Sequence, residues 1–382
     1  MISKNVLFRR TAAVVLAVAV AAVPGVAVAA VPSPAARADD HAALRPLVNR
    51  LTAPGGAPGA LAEVDDRHGS SVLTSGVADV RTGAPVHPES RFRIGSLTKP
   101  FVATVVLQLV GEGRVELDAP VERYLPGVVR GADTDGQITV RQLLQHTSGL
   151  PDVMDYLTPN DILKDPLRHW EARELVDIAL PQPRTFDPGQ GWDYSNTNYL
   201  LAGMIIERVT GHSYGTEIKR RVLVPLKLKD TIVPGDMPGI PRPHPQGYVR
   251  TESGLLDVTR LNPTVAGAGG GMISSASDVN TFLAALLDGD LLKPPQLREM
   301  LKTHPTGRSS KSEYGLGLEW IPACGDGDGY WGHDGDMLGF SVRAGVTTDG
   351  RQATVMVNRL ARGGTALATD LGKVVPAAFC EQ

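Results

Sequence analysis

The stretch RFRIGSLTKPFVATVVLQL, residues 91–109, places one lysine inside a run built for burial. Ser96 and Lys99 stand three apart, so on a helix they share a face with their Cβ atoms about 5–6 Å apart. Phe101 to Val110 is apolar on every side except Thr104 and Gln108, the mark of a central, buried helix. Burial disfavours the charged form of an ammonium and draws its pKa down from roughly 10.4, toward values at which the neutral amine accepts a proton. A serine hydroxyl is a weak nucleophile until a base takes its proton. One helical turn therefore supplies a nucleophile and its base, and no other Ser-x-x-Lys occurs in the chain. In PGQGWDYSNTNYLLAGMII (188–206), Tyr194 and Asn196 lie two apart and point the same way in an extended loop. A phenol can share a proton with the Ser–Lys pair, and an Asn amide can hydrogen-bond a substrate carbonyl. Asn196 or Thr197 is expected to cap the helix that follows. In YWGHDGDMLGF (330–340), His333 precedes Gly335, whose missing Cβ lets a ligand approach the backbone. A backbone N–H two or three residues after His333 is expected to pair with that of Ser96 as an oxyanion hole.

These residues need a scaffold, and both ends of the chain contribute to it. DDHAALRPLVNRLTA (39–53) reads as an amphipathic helix, followed by the break PGGAPG and the strands GALAEVDD and SSVLTSGVADV. From about 115 to 305 the pattern is helical: TVRQLLQH, WEARELVDIAL, NTNYLLAGMIIERVTG, SDVNTFLAALLDG and PPQLREMLK. Residues 314–358 return to strands, YGLGLEW, GFSVRAGVTT and RQATVMVN, the last two joined by the hairpin signal Asp349-Gly350. LARGGTALATDLGKVVPAAFC closes the chain as a helix. The expected fold is α/β, an antiparallel sheet built from both chain ends and flanked by helices. About 115–305 forms an inserted, mainly helical subdomain, with a cleft where the two parts meet.

SLTK, YSN and HDG, in this order, resemble the three active-site motifs of the serine β-lactamase and penicillin-recognising DD-peptidase superfamily: Ser-x-x-Lys, Tyr-x-Asn and Lys/His-x-Gly. Tyr in the second motif is similar to the class C branch. His in the third is similar to its secreted D-alanyl-D-alanine carboxypeptidase and D-amino-acid peptidase or esterase relatives. LLQHTSGLPD (143–152), GHSYGTEIKRRVLVPLKLKDT and GAGGGMISSASDV resemble the same branch, so the likeness spans roughly residues 41–381. It implies a β-lactamase/transpeptidase-like domain over residues 39–382 and acyl transfer with no cofactor. In that scheme Ser96 attacks, Lys99 and Tyr194 shuttle its proton, and the N–H groups of Ser96 and Asp336 hold the oxyanion. Asn196 orients the acyl amide, and His333 keeps the electrostatics near Tyr194 favourable.

The leading expectation is a carboxypeptidase of the D-alanyl-D-alanine type, with D-amino-acid peptides, esters, β-lactams or peptidoglycan precursors as partners. An esterase, amidase or D-aminopeptidase of the same fold, and a non-catalytic penicillin-binding sensor, are the alternatives. Glu319 after YGLGL, with Asp334 and Asp336 around Gly335, would repel a substrate's terminal carboxylate unless Arg343 compensates. If they line the pocket, they favour an ester, an amide or an amino-terminal D-residue; otherwise they face solvent. GHSYG (211–215) matches the Gly-x-Ser-x-Gly elbow of α/β-hydrolases, but that elbow needs a buried strand before it. NYLLAGMIIERVT has helical spacing instead, so Gly211 reads as a helix C-cap and Ser213 as an N-cap.

At 382 residues and 42% hydrophobic content the chain can bury a large core. Lys4, Arg9 and Arg10, then an uncharged stretch to residue 36 and small-x-small sites at 27–29 and 36–38, read as a secretory signal peptide over residues 1–38. An uncleaved membrane anchor is the alternative, disfavoured by Pro24 and Gly25 within the run. Without residues 1–38, 34 basic residues face 41 acidic ones, a net charge of −7 with no basic tract, which excludes nucleic acid as an expected partner. Cys324 and Cys380, the only cysteines, are expected to form one disulfide in an exported monomer. No His or Asp cluster near either cysteine has metal-ligand spacing.

Overall fold

The computed structural model describes residues 43–67, 69–129, 138–325, 327–361 and 363–380. The signal-peptide reading of residues 1–38 lies outside them.

Among the described residues, both chain ends build one nine-stranded antiparallel sheet. Its order is Ala84–Pro85, Gly69–Asp79, Gly59–Asp66, Gln352–Val357, Phe340–Val346, Gly329–Met337, Glu319–Pro322, Glu313–Tyr314 and His304–Pro305. The register is set where the first long strand meets the last, with Leu61 opposite Met356 and Ala62 opposite Val355. Alternation then sends side chains to two different cores. Ala60, Ala62, Val355 and Val357 face the terminal helices Leu44–Leu51 and Ala366–Cys380, where Leu44, Val48, Leu51, Leu371 and Phe379 are buried. Leu61, Val342, Ala344 and Met356 face the other way, into the core that holds Phe101 and Phe282. Those two rings stack with centroids 3.6 Å apart.

The terminal helix Leu44–Leu51 forms because its apolar residues recur at i, i+4 and i+7, which lays one stripe on the sheet. Burying each such side chain contributes roughly 1.5–3 kcal/mol. Cys324 and Cys380 form a disulfide that ties the end of the C-terminal helix to the loop after Glu319–Pro322.

Within 115–305 the helices include Val140–Gln145, Ala172–Ala179, Asn196–Thr210 and Pro294–Met300. One helix of this range, Ala276–Leu287, lies against the sheet. Its buried Asn280 donates to Asp65 (2.7 Å) and accepts from Thr354 (2.6 Å), joining the helix to both chain ends of the sheet.

Two local expectations are corrected. YGLGLEW is not one strand: Gly317 takes φ +83°, turns the chain against the backbone of Lys99, and splits the segment into Glu313–Tyr314 and Glu319–Pro322. The cap of Asn196–Thr210 is Ser195, not Asn196 or Thr197, and its hydroxyl donates to Pro151 O (3.1 Å) instead of capping the helix. Gly211 closes that helix at φ +77°, and Ser213 accepts from Thr216 N (3.2 Å) as the next N-cap. With a helix in front of it, Ser213 does not sit on a nucleophile elbow.

Candidate active site

Ser96 lies in a single 3₁₀ turn, Gly95–Leu97, that leads into the buried helix Thr98–Gly111. Gly95 adopts φ +51°, and a Cβ there would fall 2.7 Å from Asp336 N. A Cβ on Gly335 would fall 2.0 Å from Ile94 O. Two glycines thus let the serine turn press against the strand Gly329–Met337. Gly335 was expected to admit a ligand; what it admits is the chain that carries Ser96. The same contact sets the backbone of Ser96 beside that of Asp336.

Lys99 is completely buried, whereas Ser96 is only half-buried. Its Nζ lies 3.1 Å from Ser96 Oγ, 2.7 Å from Asn196 Oδ1 and 2.7 Å from Gly269 O. Burial pulls its pKa down to about 7, against the opposing pull of the Asp152 carboxylate. At neutral pH the amine is therefore divided between charged and neutral forms. The neutral form can donate to Asn196 and Gly269 while its lone pair faces the serine hydroxyl.

Tyr194 brings its ring to 4.7 Å from Lys99 Nζ, and the neighbouring Ser96 hydroxyl favours ionisation of its phenol less than burial opposes it. Desolvation raises the phenol's pKa, so the group rests protonated, an acid beside a base. Ser96, Lys99, Tyr194 and Asn196 are all brought together. Asn196, expected to reach for substrate, is instead engaged on both sides. Its Nδ2 donates to Asp152 Oδ1 (3.2 Å) and Oδ2 (2.9 Å), which leaves Oδ1 for Lys99.

His333 is 3% exposed. Its Nδ1 donates to the Asp334 carbonyl, and its Nε2 accepts from Tyr314 Oη at 2.8 Å. Burial, then the charge on Lys99, lower its pKa to about 3, so it is a neutral spacer 6.3 Å from the Tyr194 ring.

The three acids proposed for the pocket are placed differently. Asp334 and Asp336 alternate away from His333 along the strand, with side chains 53% and 44% exposed. Arg343 lies between them, its Nε 3.0 Å from Asp334 Oδ2 and its Nη1 3.2 Å from Asp336 Oδ1. Glu319 is buried, its carboxyl pKa raised by that burial, and Arg308 Nη1 stands 3.4 Å away. The guanidinium of Arg308 in turn lies 4.9 Å from the ring centre of Trp192. Two arginines therefore offset most of the repulsion expected from these carboxylates.

The motifs missed three contributors: Asp152, His146 and the carbonyl of Gly269. The first two lie within LLQHTSGLPD, where a polar cluster between apolar runs was the available signal.

Comparison with known proteins agrees with this geometry. Residues 20–374 match the family model described as Beta-lactamase. A solved D-stereospecific amidohydrolase from Streptomyces sp. is 40% identical, superposes with a TM-score of 0.81, and shares 89% of this chain and 99% of its own. Esterase EstB of Burkholderia gladioli is 31% identical over 296 residues, 68% of this chain and 74% of its own. A penicillin-binding protein of Bacillus subtilis is 33% identical over 166 residues, 41% of this chain but only 34% of its own length, so the match spans about a third of that relative.

Proposed function

The chain belongs to the beta-lactamase family and is a serine hydrolase of it; on that premise we propose that it hydrolyses D-aminoacyl amides and esters through an acyl-enzyme on Ser96. The observation that carries this reading is the fully buried Lys99 amine, 3.1 Å from a half-exposed serine hydroxyl.

In the first step Ser96 Oγ bonds to the substrate carbonyl carbon and its proton passes to neutral Lys99. The carbonyl electron pair collects on oxygen, facing the N–H groups of Ser96 and Asp336. Collapse expels the leaving amine or alkoxide. Tyr194 protonates it and regains a proton from the Lys99 ammonium by way of the hydroxyl network. Water then attacks the ester carbonyl as neutral Lys99 takes its proton by way of the Tyr194 hydroxyl, the acyl carbon–Ser96 Oγ bond breaks, and that proton returns to Oγ, restoring Ser96. Asn196 holds Lys99, Asp152 holds Asn196, and His333 excludes water beside Tyr194.

The D-aminoacyl preference draws on the likeness to a D-stereospecific amidohydrolase. The likeness to a penicillin-binding protein supports a second reading, a D-alanyl-D-alanine carboxypeptidase.

Turnover of D-phenylalaninamide, its L-enantiomer, and a peptide ending in D-Ala-D-Ala beside its C-terminal amide separates the readings. The amidase reading expects the D-amide to lead and the peptide amide to exceed the free acid. A clear preference for the free acid rejects it in favour of the carboxypeptidase. Ser96→Ala abolishes every activity under both. Export is part of the proposal, supported by the basic-then-apolar N-terminus and the Cys324–Cys380 bond. Fractionation of cells that express the full chain tests it, the protein being expected in the medium and not in the cytosol.

A further inference from the structure

His146 ends the helix Val140–Gln145 in the left-handed region, at φ +62°. It is fully buried. From there it touches three consecutive residues around the phenol. Its carbonyl accepts from Asp193 N (3.0 Å), and its Nδ1 accepts from Ser195 N (3.2 Å). Between those two anchors its ring lies on the ring of Tyr194, centroids 4.4 Å apart and tilted by 31°.

The protonation of the imidazole is fixed by its neighbours. Ser148 Oγ donates to Asn198 Oδ1 (2.6 Å), which turns Asn198 Nδ2 toward His146 Nδ1 (3.1 Å). Nδ1 therefore receives two donors and carries no hydrogen, so the ring proton resides on Nε2. That Nε2 is buried without a hydrogen-bond partner, in a nest of rings that includes Tyr199 and Tyr314. An unsatisfied buried donor works against stability. Packing alone would be served better by an apolar ring, and a phenylalanine would be strained in the left-handed region and could not hold Ser195 N.

We propose that His146 is the positioning residue of Tyr194, clamping the backbone on either side of it and stacking on its ring so that the phenol stays within reach of Ser96 and the leaving group. This rests on the reading of Tyr194 as the group that protonates the leaving group. A poor leaving group such as ammonia needs that proton, whereas p-nitrophenolate departs without it. A loosened Tyr194 therefore penalises amides far more than activated esters, and a merely structural defect lowers both alike.

The test compares His146→Asn, which tolerates the left-handed backbone but loses the stack, with wild type and with Tyr194→Phe. The substrates are D-alaninamide and the p-nitrophenyl ester of D-alanine, with kcat/KM normalised to Ser96 titrated by a fluorophosphonate. The expected result for His146→Asn is a loss of about tenfold or more on the amide and less than threefold on the ester, the same direction as Tyr194→Phe. Equal losses on both substrates, or none, overturn the proposal. Ser148→Ala, which releases Asn198 and so the imidazole, is expected to show a smaller loss of the same amide-selective kind. Should His146→Asn not fold, equal losses or none in Ser148→Ala overturn the proposal in its place. If Tyr194→Phe itself shows no amide selectivity, the acid–base reading of Tyr194 fails. If it does and the other two variants do not, only the role of His146 fails.

Discussion

Lys99 has three hydrogen-bond acceptors within 3.1 Å, which favour its ammonium, and no exposure to water, which opposes it. The opposing effect wins, because desolvation is the larger cause of its lowered pKa, and the amine comes to rest near 7. Asp152 pulls the other way, so removing its charge lowers the lysine's pKa further. In Asp152→Asn the rising limb of the kcat/KM–pH profile is therefore expected to move to lower pH, and a shift to higher pH would show that the lysine is not the group titrating. Lys99→Met is expected to reduce kcat/KM by at least a thousandfold, because both the base and the proton relay are lost. Ser96 and Lys99 could be read from local spacing because one helical turn places them together. Asp152 and His146 could not. Their partners Asn196 and Tyr194 lie more than forty residues downstream, and only the packing of Asn196–Thr210 against the 143–152 segment joins them.

Elements act here through close approach more than through hydrogen bonds. The strand Gly329–Met337 and the turn Gly95–Leu97 touch backbone to backbone, and a Cβ on Gly335 would fall 2.0 Å from Ile94 O. Gly335→Ala must push the Ser96 turn off the strand. It is expected to lower kcat/KM by about a hundredfold, the scale on which small displacements of a reacting group act, with a smaller change in thermal stability. Unchanged activity would mean that the Ser96–Asp336 juxtaposition is not used. The sequence identified the glycine but gave it the wrong neighbour, since nothing local shows what approaches a strand from the side. The same blindness affected the acids. A strand's period of two says that Asp334 and Asp336 share a face, but only the register with Phe340–Val346 sets Arg343 opposite Asp334. Elsewhere in the sheet, Glu63 is buried beside Asp65, and burial raises its pKa to about 7. The native state then holds a proton that the unfolded chain releases between about 4.5 and 7, so stability falls as pH rises through that window. Glu63→Gln is expected to raise Tm at pH 8 by an amount equivalent to roughly 3 kcal/mol and to leave it unchanged at pH 4.

Among the described residues the sheet joins strands from before and after the helical middle at its centre, and stability depends on keeping the two sets together. Reducing Cys324–Cys380, or replacing both by serine, frees a loop of 56 residues, and by the loop-entropy model this lowers stability by about 4 kcal/mol. A Tm unchanged by reductant would show that packing of Ala366–Cys380 on the sheet suffices alone. Acid acts through the buried imidazoles. His333 is held near 3 and His146 well below its ordinary value, both by burial first. Below about 6.5 the unfolded chain binds protons that the native sites refuse, so stability falls as pH drops from 6.5 toward 3. His333→Gln is expected to make that decline shallower in a plot of Tm against pH. The sheet was legible because short apolar runs bounded by turn signals recur before and after a helical middle. The attachment of Ala276–Leu287 to it was not, since that depends on Asn280 meeting Asp65 and Thr354 across the fold.

A buried Lys99, able to shed its proton near neutral pH, activates Ser96. The direct measurement is the second-order rate of covalent labelling by a fluorophosphonate across pH 5–9, with the modified residue located by mass spectrometry. One label is expected, on Ser96, at a rate that rises with pH about a midpoint near 7 and is lost in Lys99→Met. Label on Ser213, or a rate on Ser96 that is flat across the range and indifferent to Lys99, would contradict it.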